Sequence, residues 1–248
     1  MINKILFAFL LLISVSILKG SDNSEKFSVG SYYNYSDHNY SGDFQTINDN
    51  PSCCENFKTG SGNGFDIGMH FKYRFTENIG AYFSIGYMEA NGRFSQNETR
   101  EINVNGQKYP GVINHFLNVQ FYETFTNAGI FYNFYNEFKF YGGIASSNLN
   151  GQRYYQGEQI IIPSDRGVFL DTGTRFRNEN TGNIDNINNN IYYIEAKISY
   201  MLPLSLDAKM ELEPFAGIKY ALNERVKNTN WLERSLFLGV SVNYFLMF

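Results

Sequence analysis

Three histidines, His38, His70 and His115, are the residues of this sequence best suited to act as a general base at neutral pH. A hydrolytic triad needs such a histidine, a nucleophile and an orienting carboxylate in mutual reach. His70 is followed by Phe-Lys and His115 by Phe-Leu, so neither has a serine two positions further on. The histidines therefore do not predict a catalytic site.

The two cysteines, Cys53 and Cys54, are adjacent in the sequence. Metal sites use His and Cys ligands at characteristic spacings, and none accompanies this pair, so we expect no metal site. In an exported chain the pair is expected to be oxidised. A disulfide between adjacent cysteines is strained. Two alternatives therefore remain: a disulfide within the loop, or thiol–disulfide exchange with another chain.

Charged residues recur at every second position within otherwise apolar segments. Side chains of a β-strand alternate between two faces, so this spacing gathers the charges on one face. Within residues 64–75, every residue from Phe65 to Phe75 at odd positions is apolar, whereas the even positions are polar or glycine. The set on the polar face, here called the lumen charge network, comprises Asp66, His70, Lys72, Arg74, Lys139, Glu195, Lys197, Lys209, Glu211, Glu213 and Lys219.

The same two-residue period predicts eight β-strands. Pro214 is the weakest point of the pattern, since it cannot donate a ladder hydrogen bond. In the fourth segment, the apolar residues Leu117, Val119 and Phe121 occupy odd positions, whereas those from Ala128 onward occupy even positions. This change indicates a bulge, or a strand that extends beyond the part in contact with a lipid bilayer. The predicted strands lie at 26–35, 64–75, 79–92, 128–134, 138–145, 191–202, 208–222 and 231–248.

The predicted connections alternate between short and long, as in outer-membrane barrels. The short ones are 76–78, 135–137 and 203–207, and the long ones are 36–63, 93–112, 150–190 and 223–230. An antiparallel set of eight closes into a barrel without an edge, which lipid requires. Charges cannot face lipid, so they must line the lumen. An eight-stranded lumen is just wide enough for side chains to fill it, so we expect a salt-bridged plug, with a narrow ion path as the alternative.

The N-terminus has the features of a secretory signal peptide. Lys4 precedes an apolar run that ends at Leu18, which is too short for a comfortable transmembrane helix. We expect a signal peptide at 1–20 and a barrel domain at 21–248. The formal charge of −4 and the absence of a basic patch argue against nucleic-acid binding.

The C-terminus ends on Phe248, with Leu246 and Tyr244 at the alternate positions before it. This ending resembles the signal read by the bacterial outer-membrane assembly machinery. The strand pattern, the signal peptide and the loop asymmetry resemble small OmpA/OmpX-type outer-membrane barrels. The resemblance implies an outer-membrane location with both termini in the periplasm. It also implies contact with lipid and lipopolysaccharide, and a monomer.

Fold alone does not give function. We expect a non-enzymatic barrel without cofactors, with a structural or surface-interaction role through its long loops and an unknown host or environmental ligand. The alternatives are a lipid-modifying enzyme such as a lipid A deacylase, whose His-x-Ser arrangement is absent here, and a narrow pore. The Asn-rich residues 178–190 indicate solvated disorder or a ligand-binding loop. The predicted loop 150–190 also contains four arginines that could contact anionic lipopolysaccharide or host glycans: Arg153, Arg166, Arg175 and Arg177. Acidic residues in the same loop offset their charge.

Overall fold

Antiparallel strands make up almost all of the computed structural model. It describes residues 26–48, 50, 54–104, 107–135, 137–165, 167–204 and 210–246. The strands are β1 (Phe27–Phe44), β2 (Phe57–Arg74), β3 (Ile79–Val104), β4 (Gln107–Tyr135), β5 (Phe138–Ile162), β6 (Phe176–Gly182), β7 (Asn190–Tyr200), β8 (Leu202–Pro203), β9 (Met210–Ala221) and β10 (Leu232–Leu246). In the described part of the chain, no helix has the length and apolar character needed to cross a membrane.

Eight of these strands form a closed antiparallel ring. Neighbours in sequence pair along the ring from β1 to β5, then β5 with β7, β7 with β9 and β9 with β10, and β10 pairs back with β1. The short strands β6 and β8 lie outside this circuit and pair with β5 and β9 respectively. The ring confirms the predicted eight-stranded up-and-down barrel.

The part of the ring next to the short connections turns apolar side chains outward. On β2, Ile67 and Met69 each expose 51% of their surface, whereas the adjacent Asp66 and His70 expose 1% and 4%. The outward apolar run begins at Phe65 on β2 and ends at Phe75, one residue past the strand. Its length matches the roughly 9–11 residues that a transmembrane strand needs. We call this outward band the apolar belt. Its members also include Tyr33, Tyr35, Ile85, Tyr87, Ile130, Tyr132, Phe140, Ile144, Ile194, Ile198, Ile218, Tyr220, Leu236, Leu238 and Val240.

The strands continue far beyond the belt, so the predicted long loops 36–63, 93–112 and 150–190 were wrong for most of their length. β3 has 26 residues and β4 has 29, more than twice what a membrane crossing requires. These two strands pair without a register shift from Ile79 opposite Tyr132 to Val104 opposite Gln107. Of the two readings of the parity change in the fourth segment, the extension is therefore correct.

Above the belt the polarity of the barrel is inverted. The inward side chains form an apolar cluster, here called the cap core: Tyr40, Phe44, Ile47, Phe57, Phe94, Leu117, Val119, Phe121, Tyr154, Ile184, Val226 and Trp231. The outward positions of β1 and β2 at this height, among them Asn39, Ser61 and Thr59, are polar and exposed. The barrel thus passes from a lipid-facing pattern to that of a water-soluble sheet without changing its strands. We call this upper part the cap.

A bulge in β5 sits at the transition between the two patterns. Tyr122 of β4 pairs with Gly151 and Glu123 pairs with Leu149, so Asn150 is the extra residue. A bulge moves every following side chain to the other face. Accordingly, the buried positions of β5 are odd below the bulge, as at Tyr141, and even above it, as at Tyr154.

The predicted disorder of the Asn-rich residues 178–190 was wrong. Part of this segment forms β6, and Ile184 is 3% exposed in the cap core. Asn178 and Asn186 adopt positive φ angles of 52° and 55°. Asparagine tolerates this left-handed conformation better than most residues, which accounts for part of the asparagine content. The segment is therefore built into the cap.

A second apolar cluster closes the far end of the cap. Cys54 is 2% exposed and packs with Ile102, Ile113, Ile160 and Phe169. Its predicted disulfide partner, Cys53, lies outside the described residues. Cys54 therefore lies in the connection between β1 and β2, as predicted, but its side chain is buried in a hydrophobic core at the far end of the cap.

Candidate functional site

Glu213 of β9 is the centre of the polar cluster at the end of the lumen that carries the short connections. Lys72 Nζ lies 2.5 Å from one carboxylate oxygen and Asn243 Nδ2 donates to the same oxygen at 2.9 Å. Ser199 Oγ donates to the other oxygen at 2.6 Å, and the Tyr141 hydroxyl donates to it as well. Four strands therefore contribute donors to one buried carboxylate, which is how a buried charge avoids an unpaired state.

Four further predicted network members lie around this cluster: His70, Arg74, Lys139 and Glu211. Lys139 Nζ lies 3.5 Å from Glu211 and 3.9 Å from Glu213. His70 forms a ring hydrogen bond with Asn243 Oδ1. The Arg74 guanidinium lies 5.7 Å from the centre of the Phe245 ring.

A separate ion pair crosses the lumen one level higher. Lys219 Nζ of β9 donates to Asp66 Oδ2 of β2 at 2.9 Å, and both side chains are almost completely buried. The Lys219 ammonium also lies 4.6 Å from the centre of the Phe125 ring and 5.4 Å from that of Phe237. The pair spans the barrel and fills its axis with side chains.

Lys197 is surrounded by aromatic rings. Its ammonium lies 4.5 Å from the centre of the Tyr141 ring, 4.9 Å from Phe215 and 5.2 Å from Tyr82. Such cation–π contacts stabilise a cation that is partly removed from water. Beside it is a cavity of about 20 Å³, lined also by Glu195 and room enough for about one water molecule.

The boundary between lumen and cap core is sealed by an ion-paired arginine that the sequence did not reveal. Arg225 Nη1 donates to Glu123 Oε1 at 2.7 Å, and Nη2 donates to Glu233 Oε2 at 2.5 Å and to Tyr193 Oη at 3.1 Å. Its guanidinium stacks 4.3 Å from the Phe121 ring centre. Arg225 belongs to the β9–β10 connection, which therefore folds into the barrel. No periodic pattern could have predicted this, since the residue is not in a strand.

A histidine, a carboxylate and a serine meet at this boundary, the residue types of a triad. His38 Nδ1 lies 2.9 Å from Glu233 Oε1, and His38 pairs with Ser235 across the β1–β10 ladder. However, His38 Nε2 and Ser235 Oγ have no hydrogen-bond partner, and the three residues expose at most 2% of their surface. Gly64 leaves room for the ring, since a Cβ there would lie 2.8 Å from Nε2. The cluster is enclosed, so no substrate could reach it in this conformation.

Signals for some of these unpredicted residues were present in the sequence. His38 continues the inward parity of Tyr32 and Asn34, and Glu233 continues that of Ser235. The predicted strands 26–35 and 128–134 end before His38 and Glu123, and continuing their inward parity would place both residues inside the barrel. Glu233 already has the inward parity of the predicted strand 231–248.

Some predicted site residues lie outside the described part of the chain: Lys209 of the network, Cys53 of the disulfide, Phe248 of the C-terminal signal and Arg166 of the arginine set. Tyr244 of the same C-terminal signal faces outward and is 45% exposed, and Leu246 ends β10. Among the described residues, no group of three or more His, Cys, Asp or Glu side chains is arranged to hold a metal ion.

His115 lies in the cap, with its ring centre 4.4 Å from that of Phe57. Burial lowers its pKa below the usual value, and Glu158 opposes this in part.

The folded state keeps His115 neutral where an unfolded chain would be protonated, so acidification below about pH 6.5 should destabilise the fold. We expect a smaller loss of unfolding free energy between pH 7 and pH 5.5 in His115→Gln than in the unmodified protein. Equal losses in both, measured by denaturant titration, would contradict this.

No family model and no curated protein sequence matches this chain. Solved structures with a similar arrangement of strands include Ail, the attachment invasion locus protein of Yersinia pestis, crystallised with the heparin analogue sucrose octasulfate. It has 10% sequence identity and a TM-score of 0.37, and the match covers 88% of this chain and 99% of Ail. Neisserial surface protein A has 12% identity, a TM-score of 0.37 and coverage of 91% and 100%. The outer-membrane protease OmpT from Escherichia coli has 8% identity, a TM-score of 0.31 and coverage of 92% and 99%. These are small outer-membrane β-barrels.

Proposed function

We propose that this protein is a closed, non-enzymatic outer-membrane barrel that carries a rigid β-sheet cap for interactions at the cell surface. The observation that carries the proposal is the inversion of polarity along continuous strands. Below it, apolar side chains face out and ion pairs fill the lumen. Above it, the apolar residues turn inward and the outer surface is polar, as expected for a part that stands in water.

The proposed route to this location uses the two ends of the chain. Residues 1–20 are removed as a signal peptide, and Tyr244, Leu246 and Phe248 are read by the outer-membrane assembly machinery. Both ends then lie in the periplasm. This is supported by the pairing of Phe27 with Leu246 at the end of the barrel that carries the short connections.

A plugged lumen predicts the electrical behaviour of the purified protein. In a planar lipid bilayer, the unmodified protein should give no steady single-channel current, because paired side chains cross the axis at the Glu213, Lys219 and Arg225 levels. A large porin of known conductance, inserted in the same bilayer, is the control for detection. Reproducible steady currents from the unmodified protein would contradict the closed lumen and make a pore the better function.

A further inference from the structure

An open groove of about 680 Å³ lies on the outer surface of the cap, where β3, β4, β5 and β6 run side by side. We propose that it binds the anionic saccharide headgroup of a glycolipid in the surrounding outer leaflet. The inference rests on the proposed function in one respect, namely that the barrel stands in the outer membrane with the cap outside.

The groove lies immediately above the apolar belt. On β3 the last outward belt residue is Tyr87, and Asn91, which lines the groove, is the second outward position beyond it. On β4 the groove residues Gln120 and Asn118 lie one and two outward positions beyond Tyr122. Since successive outward positions on a strand are about 7 Å apart, the groove begins at the height of the lipid headgroups.

Two cross-strand rows form the polar surface of the groove. Asn91, Gln120 and Arg153 pair in one row, and Asn118 pairs with Tyr155 in the next. Directly opposed side chains of this kind have Cβ atoms about 4.5–5.5 Å apart, so the polar groups form a continuous surface. The bulge at Asn150 is what turns the Arg153 side chain outward, because β5 has the opposite parity below it.

The chemistry of this surface suits a saccharide with an anionic group. An amide side chain offers a donor and an acceptor next to each other, which matches the adjacent hydroxyl groups of a sugar. Arg153 supplies a planar cation that can bind a phosphate or carboxylate through two parallel hydrogen bonds. Among the described residues, no carboxylate lies within ion-pair distance of Arg153, whereas Arg177 is paired with Glu158.

The nearby carboxylates are already engaged. Glu89 accepts a hydrogen bond from Gln120 Nε2 at 2.8 Å, and Glu179 accepts one from the Tyr155 hydroxyl at 2.5 Å. These bonds fix the side chains of the groove before any ligand arrives.

The test is a lipid titration of the purified full-length mature protein in detergent, followed by native mass spectrometry. The probes are rough-type lipopolysaccharide, which has a short phosphorylated saccharide, the same saccharide after removal of its acyl chains, and phosphatidylglycerol. The variants are Arg153→Ala and its control Arg234→Ala. Arg234 is an outward arginine at the belt edge on β10, away from the groove.

We expect lipopolysaccharide to bind the unmodified protein and Arg234→Ala equally well, and Arg153→Ala roughly tenfold more weakly, as for loss of a charged hydrogen bond. Phosphatidylglycerol should bind all three proteins weakly and alike. Unchanged lipopolysaccharide affinity in Arg153→Ala would overturn the site. Equal affinity for phosphatidylglycerol would overturn saccharide recognition, and equal affinity for the acyl-free saccharide would overturn the glycolipid as its source. None of these results bears on the closed lumen, which the bilayer recording tests separately.

Discussion

Arg225→Met is expected to lower the unfolding free energy by about 3–5 kcal/mol, the usual cost of removing one partner from a buried ion pair. Methionine keeps much of the apolar stem but leaves Glu123 and Glu233 buried without their cation. His38 still contacts Glu233, so Glu123 is the more severely affected carboxylate. Trp231, the single tryptophan of the chain, lies fully buried in the adjacent cap core and can report the transition by its fluorescence.

The matched control removes a cation from an exposed ion pair of the cap. In Lys58→Met, the lost partner is Asp43, and the two side chains are 63% and 48% exposed. Exposed pairs contribute about 0–1 kcal/mol, so this variant should unfold almost like the unmodified protein. Guanidinium titrations of both variants in lipid vesicles give the comparison. Similar midpoints for Arg225→Met and Lys58→Met would show that the boundary between lumen and cap is not sealed by Arg225.

Ile67→Arg is expected to cost about 2 kcal/mol, the lower end of the range of about 2–4 kcal/mol for an arginine at the bilayer midplane, because it places a cation on the lipid face of the belt. Ile67 faces outward on β2, one outward position inside the upper edge of the belt at Phe65. The variant should assemble poorly into vesicles. Assembly is measured as the fraction that migrates in the compact form on gels without boiling.

Thr59→Arg is the control, since Thr59 lies on the same strand and the same outward face, above the belt. An arginine there meets water and headgroups, where the cost falls to about 0–1 kcal/mol. This variant should therefore assemble almost as well as the unmodified protein. If both arginines were tolerated, Ile67 would not face lipid. If both blocked assembly, the belt would extend higher than Asn63.

The membrane part of the fold could be predicted from the sequence because one physical requirement controls it. Lipid outside and a crowded polar lumen inside force strict alternation, as between Ile67 and its neighbour Asp66. This alternation therefore identifies a segment as a β-strand and shows which of its two faces meets the lipid. The eight strands and their order were predicted correctly for this reason.

The cap could not be predicted in the same way, because its outer face is in water and its inner face is apolar. Leu117, Val119 and Phe121 keep the parity of the strand, yet their polarity is opposite to that of the lumen. Asn150 adds a phase change on β5 that no hydropathy period reveals. Because of these two effects, the sequence predicts loops in much of 36–63, 93–112 and 150–190, where the structure has strands.

The lumen contacts lie between these two cases. The facing of Lys72 and Glu213 follows from alternation, whereas their pairing depends on strand register and barrel closure, which the sequence does not specify. Arg225 was not predictable, since its position depends on how the β9–β10 connection folds inward. The groove was equally hidden, because Asn118, Gln120 and Arg153 lie in segments that had been assigned to loops or left without a face.

The central claim is that one continuous set of strands crosses the membrane and then extends into water. On β2 the boundary between the two parts lies between residues 64 and 65. The most direct test is a spin-label scan of the outward positions of β2, in a background in which Cys53→Ser and Cys54→Ala remove the native thiols. Labels at 67, 69 and 71 should be accessible to oxygen dissolved in the lipid, and labels at 59, 61 and 63 to a water-soluble nickel complex. The account predicts that this preference reverses between Asn63 and Phe65. Oxygen accessibility that continues unchanged to position 59, or nickel accessibility throughout, would contradict it.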